Sequence, residues 1–122
     1  MKLRLKKGTK IKFGDEVPNE VMTTVRLISK KWTVPIMYQI YLRNQGFSDL
    51  KREIGKKLSS TMLSRALENL QTANLIEKRI ISTSPFRVEY SLTVLGSDFC
   101  SLIESLGGFG EKYLSVQASE HE

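Results

Sequence analysis

Apolar residues recur along the chain at helical spacing in five stretches, and they alternate with polar residues in shorter ones. A repeat of three to four residues is typical of a helix with one buried face, and a repeat of two is typical of a strand. The pattern predicts helices from Pro18 to about Ser29, from Thr33 to the connection that Gly46 ends, from Ser48 to about Ile54, from Ser59 or Ser60 to about Ala73, and from Thr93 to a break at Gly107-Gly108. It also predicts a hairpin of two strands, from Leu75 to Ser82 and from Arg87 to Leu92.

One apolar stripe of each longer helix is expected to form the core. In the second helix this stripe consists of Ile36, Met37, Ile40 and Tyr41. In the fourth helix it consists of Met62, Leu63, Ala66, Leu67 and Leu70, and the residues expected on the outward face are Thr61, Ser64, Arg65, Glu68 and Asn69. Most aromatic residues also fall on periodic core positions, and Phe86 at the hairpin turn is the exception.

The predicted elements follow an order typical of one DNA-binding motif. A short helix, a tight turn through Gly55-Lys56-Lys57, a longer helix and a two-stranded hairpin form a winged helix-turn-helix, in which the second helix enters the major groove. The predicted fold class is therefore α+β, mainly α: a winged helix-turn-helix with additional N- and C-terminal helices.

The first 14 residues stand apart from this motif. Apolar residues there alternate with six basic ones around Lys7-Gly8-Thr9, which predicts either a short strand or hairpin, or a basic arm along DNA. The predicted organisation is a basic extension at 1–14, one winged-helix domain at 15–116 and a frayed tail at 117–122.

The charge of the chain favours a polyanionic partner. Nineteen Lys and Arg against thirteen Asp and Glu give a formal charge of +6, so nucleic acid is favoured over a membrane surface. The basic residues are densest around the proposed reading helix, where they are Arg43, Lys51, Arg52, Lys56, Lys57 and Arg65.

Catalytic and metal-binding chemistry is not expected from this sequence. The single cysteine, Cys100, lies in an apolar helical stripe, and the single histidine is His121, so the sequence predicts no Cys-His pair, no zinc site and no cofactor. One cysteine also suits a reducing compartment, and the sequence has no apolar run long enough for a signal peptide or a membrane span. The expectation is a cytoplasmic protein that is not an enzyme.

The first residues of a reading helix approach base edges, where short hydroxyl side chains and a bidentate arginine fit. Ser60, Thr61, Ser64 and Arg65 occupy those positions. The serines at helix starts can instead serve only as caps, and Arg87 can pair with Glu89 rather than with phosphate. The residues predicted to contact DNA are Ser48, Lys51, Lys56, Lys57, Ser59, Ser60, Thr61, Ser64, Arg65, Asn69, Ser84 and Arg87.

Five short motifs also occur in a recognisable order. They are Lys31-Trp32-Thr33, Phe47-Ser48-Asp49-Leu50, the serine and leucine run from Ser59 to Leu70, Pro85 to Leu92, and Leu92-Thr93 to Gly96. With these motifs the chain resembles the HxlR-type winged-helix regulators of bacteria and archaea over about residues 20–114. The resemblance implies a transcriptional regulator that binds a palindromic operator in double-stranded DNA as a homodimer.

The resemblance also implies a dimer built from the N- and C-terminal helices. The residues expected there are Val21, Met22, Val25, Phe99, Leu102, Ile103 and Leu106. Many relatives carry an oxidant-sensing cysteine just before the first helix, whereas this chain has Pro18-Asn19-Glu20 at that place.

Two questions stay open at the level of the sequence. A winged helix can also bind RNA or a protein partner, because a fold does not dictate a function. Trp32, Tyr38 and Tyr41 either belong to the core or line a pocket for an unknown small-molecule effector.

Overall fold

The computed structural model describes residues 17–114 of the 122-residue chain. Its elements are the helices α1 (Asn19–Ile28), α2 (Thr33–Leu42), α3 (Phe47–Ile54), α4 (Ser60–Thr72) and α5 (Val94–Tyr113), and the strands β1 (Ile76–Thr83) and β2 (Phe86–Leu92). These bounds are close to the predicted ones, except at the end of α5. The extension at 1–14, the tail at 117–122 and His121 lie outside the described residues.

The described residues fall into two compact units, residues 17–31 and residues 32–114. The first unit contains α1, which begins directly after Pro18 and has no buried residue. A proline suits this place because it has no N–H to leave unpaired at a helix start. The second unit contains all the other elements.

The core of the second unit is arranged around α2, which contacts α3, α5 and β2. Ile36 and Met37 of this helix are fully buried, as the apolar spacing predicts. Burial of each such side chain contributes about 1.5–3 kcal/mol. The other buried apolar residues of the described chain are Ile40, Leu50, Leu58, Leu63, Leu67, Leu70, Leu75, Ile76, Tyr90, Phe99 and Cys100.

Two residues of the predicted buried stripes are exposed instead, and so is the aromatic residue Tyr38. Met62 lies in the first turn of α4, beyond the stripe of Leu63, Leu67 and Leu70 that the helix buries. Tyr41 keeps its polar end at the surface, where its hydroxyl donates a hydrogen bond of 2.8 Å to the Glu104 carboxylate. The apolar spacing was correct in both helices, but the buried stripe is narrower than predicted.

Helix starts follow the hydroxyl-cap prediction in two cases of three. The Ser59 hydroxyl accepts the Met62 N–H at 3.1 Å, and the Thr93 hydroxyl accepts the Gly96 N–H at 3.0 Å. Ser48 is not a cap, because α3 already begins at Phe47. The Asp49 carboxylate accepts the Gly46 N–H instead, at 3.4 Å.

Gly46 is required by a close approach between chain segments. A Cβ at this position would lie 2.9 Å from the Val88 carbonyl oxygen. Next to it, Gln45 forms an antiparallel bridge with Tyr90, and the Tyr90 N–H donates to the Gln45 carbonyl at 2.7 Å. The base of the hairpin is thereby fixed to the connection between α2 and α3.

The predicted break in α5 is wrong. The helix runs for 20 residues from Val94 to Tyr113, through Gly107 and Gly108. A glycine inside a helix costs only about 1 kcal/mol relative to alanine, so a long helix tolerates it. The paired glycines therefore do not end this helix, although the sequence pattern predicted that they would.

Candidate nucleic-acid interface

The loop between α3 and α4 exposes two lysines to solvent. Gly55 ends α3 with a φ of 93°, a conformation that glycine adopts without strain. Leu58 is fully buried and holds the turn against the core. Lys56 and Lys57, which lie between these two residues, are exposed.

The solvent face of α4 is mainly polar, with Met62 of the first turn as an exposed apolar residue. Thr61, Ser64, Arg65 and Asn69 are all exposed, as the sequence predicts. Leu63, Leu67 and Leu70 hold the opposite face in the core. Short hydroxyl, amide and guanidinium groups are the groups that reach base edges in a major groove.

A cleft of about 540 Å³ lies between the start of α3, the middle of α4 and the hairpin. It brings together three residues that the sequence predicted separately, Ser48 of α3, Ser64 of α4 and Arg87 of β2. Among the described residues Arg87 has no ion-pair partner, so the alternative pairing with Glu89 is not formed. The cleft therefore joins the helix-turn-helix to the hairpin.

A second hollow, of about 470 Å³, lies between α3 and the start of α4. The predicted residues that line it are Ser48, Lys51, Lys56 and Ser60. Arg52 also lines it and forms an ion pair of 2.6 Å with Asp49. This pair, with the Gly46 N–H, lowers the pKa of Asp49.

The other predicted contact residues line neither hollow. Ser84 lies at the hairpin turn, where its N–H donates to the Ser82 hydroxyl at 3.3 Å. All of them are exposed, and they are Lys57, Ser59, Thr61, Arg65, Asn69 and Ser84. The two hollows therefore gather half of the predicted contact residues and leave the other half on open surface.

Sequence reasoning missed Lys78 and Phe86 as residues of the cleft. Both line it together with Arg87. The signal for Lys78 was the alternation of Ile76, Lys78 and Ile80, which the hairpin register pairs with Leu92, Tyr90 and Val88. Phe86 was noticed only as an aromatic residue off the core pattern.

Comparison with known proteins decides the family. The HxlR-like helix-turn-helix family matches residues 27–118, which include α2 to α5 and both strands. The chain belongs to this family. A relative from Methanothermobacter thermautotrophicus, an uncharacterised HTH-type transcriptional regulator, is 31% identical over 108 residues, covering 88% of this chain and 82% of the relative.

Solved structures support the fold of this HxlR-family chain. A transcriptional regulator of the MarR family from Porphyromonas gingivalis W83 is 35% identical and has a TM-score of 0.69, over 87% of this chain and 100% of that one. Reduced YodB from B. subtilis, a transcriptional regulator, has a TM-score of 0.73 at 18% identity, over 80% of this chain and 95% of YodB, and supports the fold. The HxlR-family chain is thus a transcriptional regulator with a winged helix-turn-helix fold, and its family is not one of enzymes.

The residues predicted for dimerisation of the HxlR-family chain differ in exposure. In α5, Phe99 is buried within its own chain, Ile103 is half-buried, and Leu102 and Leu106 are exposed. In α1, Val25 is exposed, and Val21 and Met22 are half-buried. Exposed apolar side chains therefore remain on both helices.

Cys100 of the HxlR-family chain is a buried residue of α5. Its thiol donates to the Met37 carbonyl at 3.8 Å, and burial raises its pKa. A thiol held neutral in this way is a poor nucleophile. Residues 17–114 contain no cluster of three or more metal-binding side chains, and no helix among them is long and apolar enough to cross a membrane.

Proposed function

We propose that this HxlR-family regulator binds a palindromic operator in double-stranded DNA as a homodimer. The observation that carries the proposal is the cleft where Ser48, Ser64 and Arg87 meet. A duplex that lies across this cleft meets the solvent face of α4 and the hairpin together. That is how a winged helix-turn-helix docks on DNA.

The contacts divide between base edges and the phosphate backbone. Ser60, Thr61 and Ser64 approach base edges, and Arg65 donates two hydrogen bonds to one guanine. The backbone is held by basic, hydroxyl and amide side chains outside this set, namely Ser48, Lys51, Lys56, Lys57, Ser59, Asn69, Ser84 and Arg87. This division makes sequence preference depend chiefly on α4.

A homodimer is supported by the exposed apolar stripe of α5. Leu102, Leu106, Phe109 and Tyr113 are spaced three to four residues apart, and each is at least 39% exposed. The same stripe on a second copy has the complementary apolar character, as a twofold interface requires. Two reading helices of such a dimer lie roughly 34 Å apart, one turn of DNA.

Selection from a random duplex DNA pool tests the proposal. We expect recovery of an inverted repeat with half-sites centred about ten base pairs apart. Affinity for the recovered duplex should fall steeply as salt rises, because lysines and arginines displace counterions from phosphates. Recovery of no motif, or equal affinity for single-stranded RNA, would contradict the proposal.

A further inference from the structure

The hairpin carries an apolar surface that the domain leaves open. Phe86, Val88 and Tyr90 share one face of β2, because side chains two residues apart point the same way. Along this face the exposed fraction rises from 7% at Tyr90 to 66% at Phe86. Ile80 stands opposite Val88 on β1 and is 64% exposed. The outer half of the face thus presents bulky apolar side chains to solvent.

This apolar surface lies among positive charges. Phe86 lines the cleft together with Lys78 and Arg87. The acidic residue that lines it, Asp49, is ion-paired with Arg52 and accepts the Gly46 N–H. A large apolar side chain among unneutralised cations is complementary to a DNA groove, where rows of phosphates flank stacked bases.

We propose that Phe86 is a DNA wedge. Its ring enters the minor groove beside each half-site and partly unstacks one base step, while Arg87 and Lys78 contact the flanking phosphates. Apolar wedges of this kind open base steps and kink the duplex. Pyrimidine–purine steps unstack most easily, so they are the steps the wedge prefers. The inference rests on the DNA binding proposed above and adds a second source of sequence preference, outside the reach of α4.

The test uses the full chain and the duplex recovered by selection. 2-Aminopurine, a base whose fluorescence increases on unstacking, replaces in turn each adenine flanking a half-site. Wild-type protein should increase its fluorescence at one flanking step, and Phe86→Ala should not. Replacing a flanking pyrimidine–purine step by a stiffer one should lower wild-type affinity about tenfold and Phe86→Ala affinity less than about twofold.

Two further variants separate a wedge from a general loss of apolar surface. Phe86→Leu keeps an apolar wedge and should retain most of the fluorescence change. Val94→Ala shortens another exposed apolar side chain, one that does not line the cleft, and should behave like wild type. Phe86 is exposed, so its substitution should leave the thermal unfolding midpoint unchanged.

The outcomes distinguish the wedge from the proposed function itself. If wild-type protein binds the duplex and Phe86→Ala matches it in affinity, flanking preference and fluorescence, the wedge is wrong while DNA binding stands. The apolar face then remains for a protein partner. If wild-type protein binds no duplex, both proposals fail.

Discussion

Helices α4 and α5 are built alike and differ in what they expose. Each begins with a hydroxyl cap, Ser59 or Thr93, and each buries part of one apolar stripe. The solvent face of α4 carries mainly hydroxyl, amide and charged groups, whereas α5 exposes a stripe of leucines and aromatic rings beside its serines and charged residues. Caps and buried stripes therefore set where the helices form, and the exposed faces are the basis of the different partners proposed for them.

The largest expected effect is on the stability of the fold, and it compares a packed glycine of α5 with an open one. Gly96→Ala places a Cβ against the Leu75 backbone carbonyl, and such overpacking should lower the free energy of unfolding by about 3 kcal/mol. Gly108→Ala is the matched control, because its Cβ meets no other atom and helical spacing puts it opposite the apolar stripe. The control should gain up to about 1 kcal/mol in urea unfolding. Equal losses in the two variants would show that the contact at Gly96 is not tight.

The next effect concerns the apolar face of α5. Leu106→Glu puts a charge into the proposed interface and should weaken the dimer by about 2–3 kcal/mol, measured by sedimentation over a concentration series. Ser97→Glu, on the opposite side of the same helix, should leave the dimer intact. A wild-type chain that stays monomeric at micromolar concentration would contradict the dimer.

The third effect compares Arg65 on α4 with Lys57 in the turn before this helix. The arginine should determine base preference, and the lysine should contribute to the salt dependence of binding. Arg65→Ala should cost about 1–3 kcal/mol on the operator and relax base preference. Lys57→Ala should weaken binding to all duplexes alike and reduce the salt slope by about one unit. If both variants bound the operator and random duplex as tightly as wild-type protein does, α4 would not be the reading helix.

The smallest effect concerns α3, whose start differs from those of α4 and α5. The Gly46 N–H, just before α3, donates to the Asp49 carboxylate, and the Arg52 ion pair and this N–H lower the pKa of that carboxylate. A lowered pKa means that the ionised form stabilises the fold at neutral pH and that this contribution disappears as pH falls through the folded-state value. Asp49→Asn should therefore unfold at a lower temperature than wild type at neutral pH, and the two midpoints should converge below about pH 4. A difference that does not vary with pH would contradict the charged cap.

The elements and most of the core could be predicted because they depend on local spacing and caps. The need for glycine at position 46 could not, because it comes from the Val88 carbonyl, a distant part of the chain. The continuity of α5 was missed because a low propensity at Gly107 and Gly108 is outweighed by the rest of a long helix. Of the candidate site, the residues of α3 and α4 were predictable, but Lys78 needed the hairpin register.

A DNA-cleaving reagent attached to either α4 or α5 shows most directly which of the two helices lies on the DNA. Cys100 is buried with a raised pKa, so an iron–EDTA group can be attached selectively to Glu68→Cys, at an exposed α4 position outside the proposed contacts, or to Ser101→Cys on α5. We expect the Glu68→Cys conjugate to cut the selected operator at two clusters about ten base pairs apart, and the Ser101→Cys conjugate to leave it uncut. Cutting by the α5 conjugate, or equal cutting by both, would contradict the assignment of α4 to the DNA.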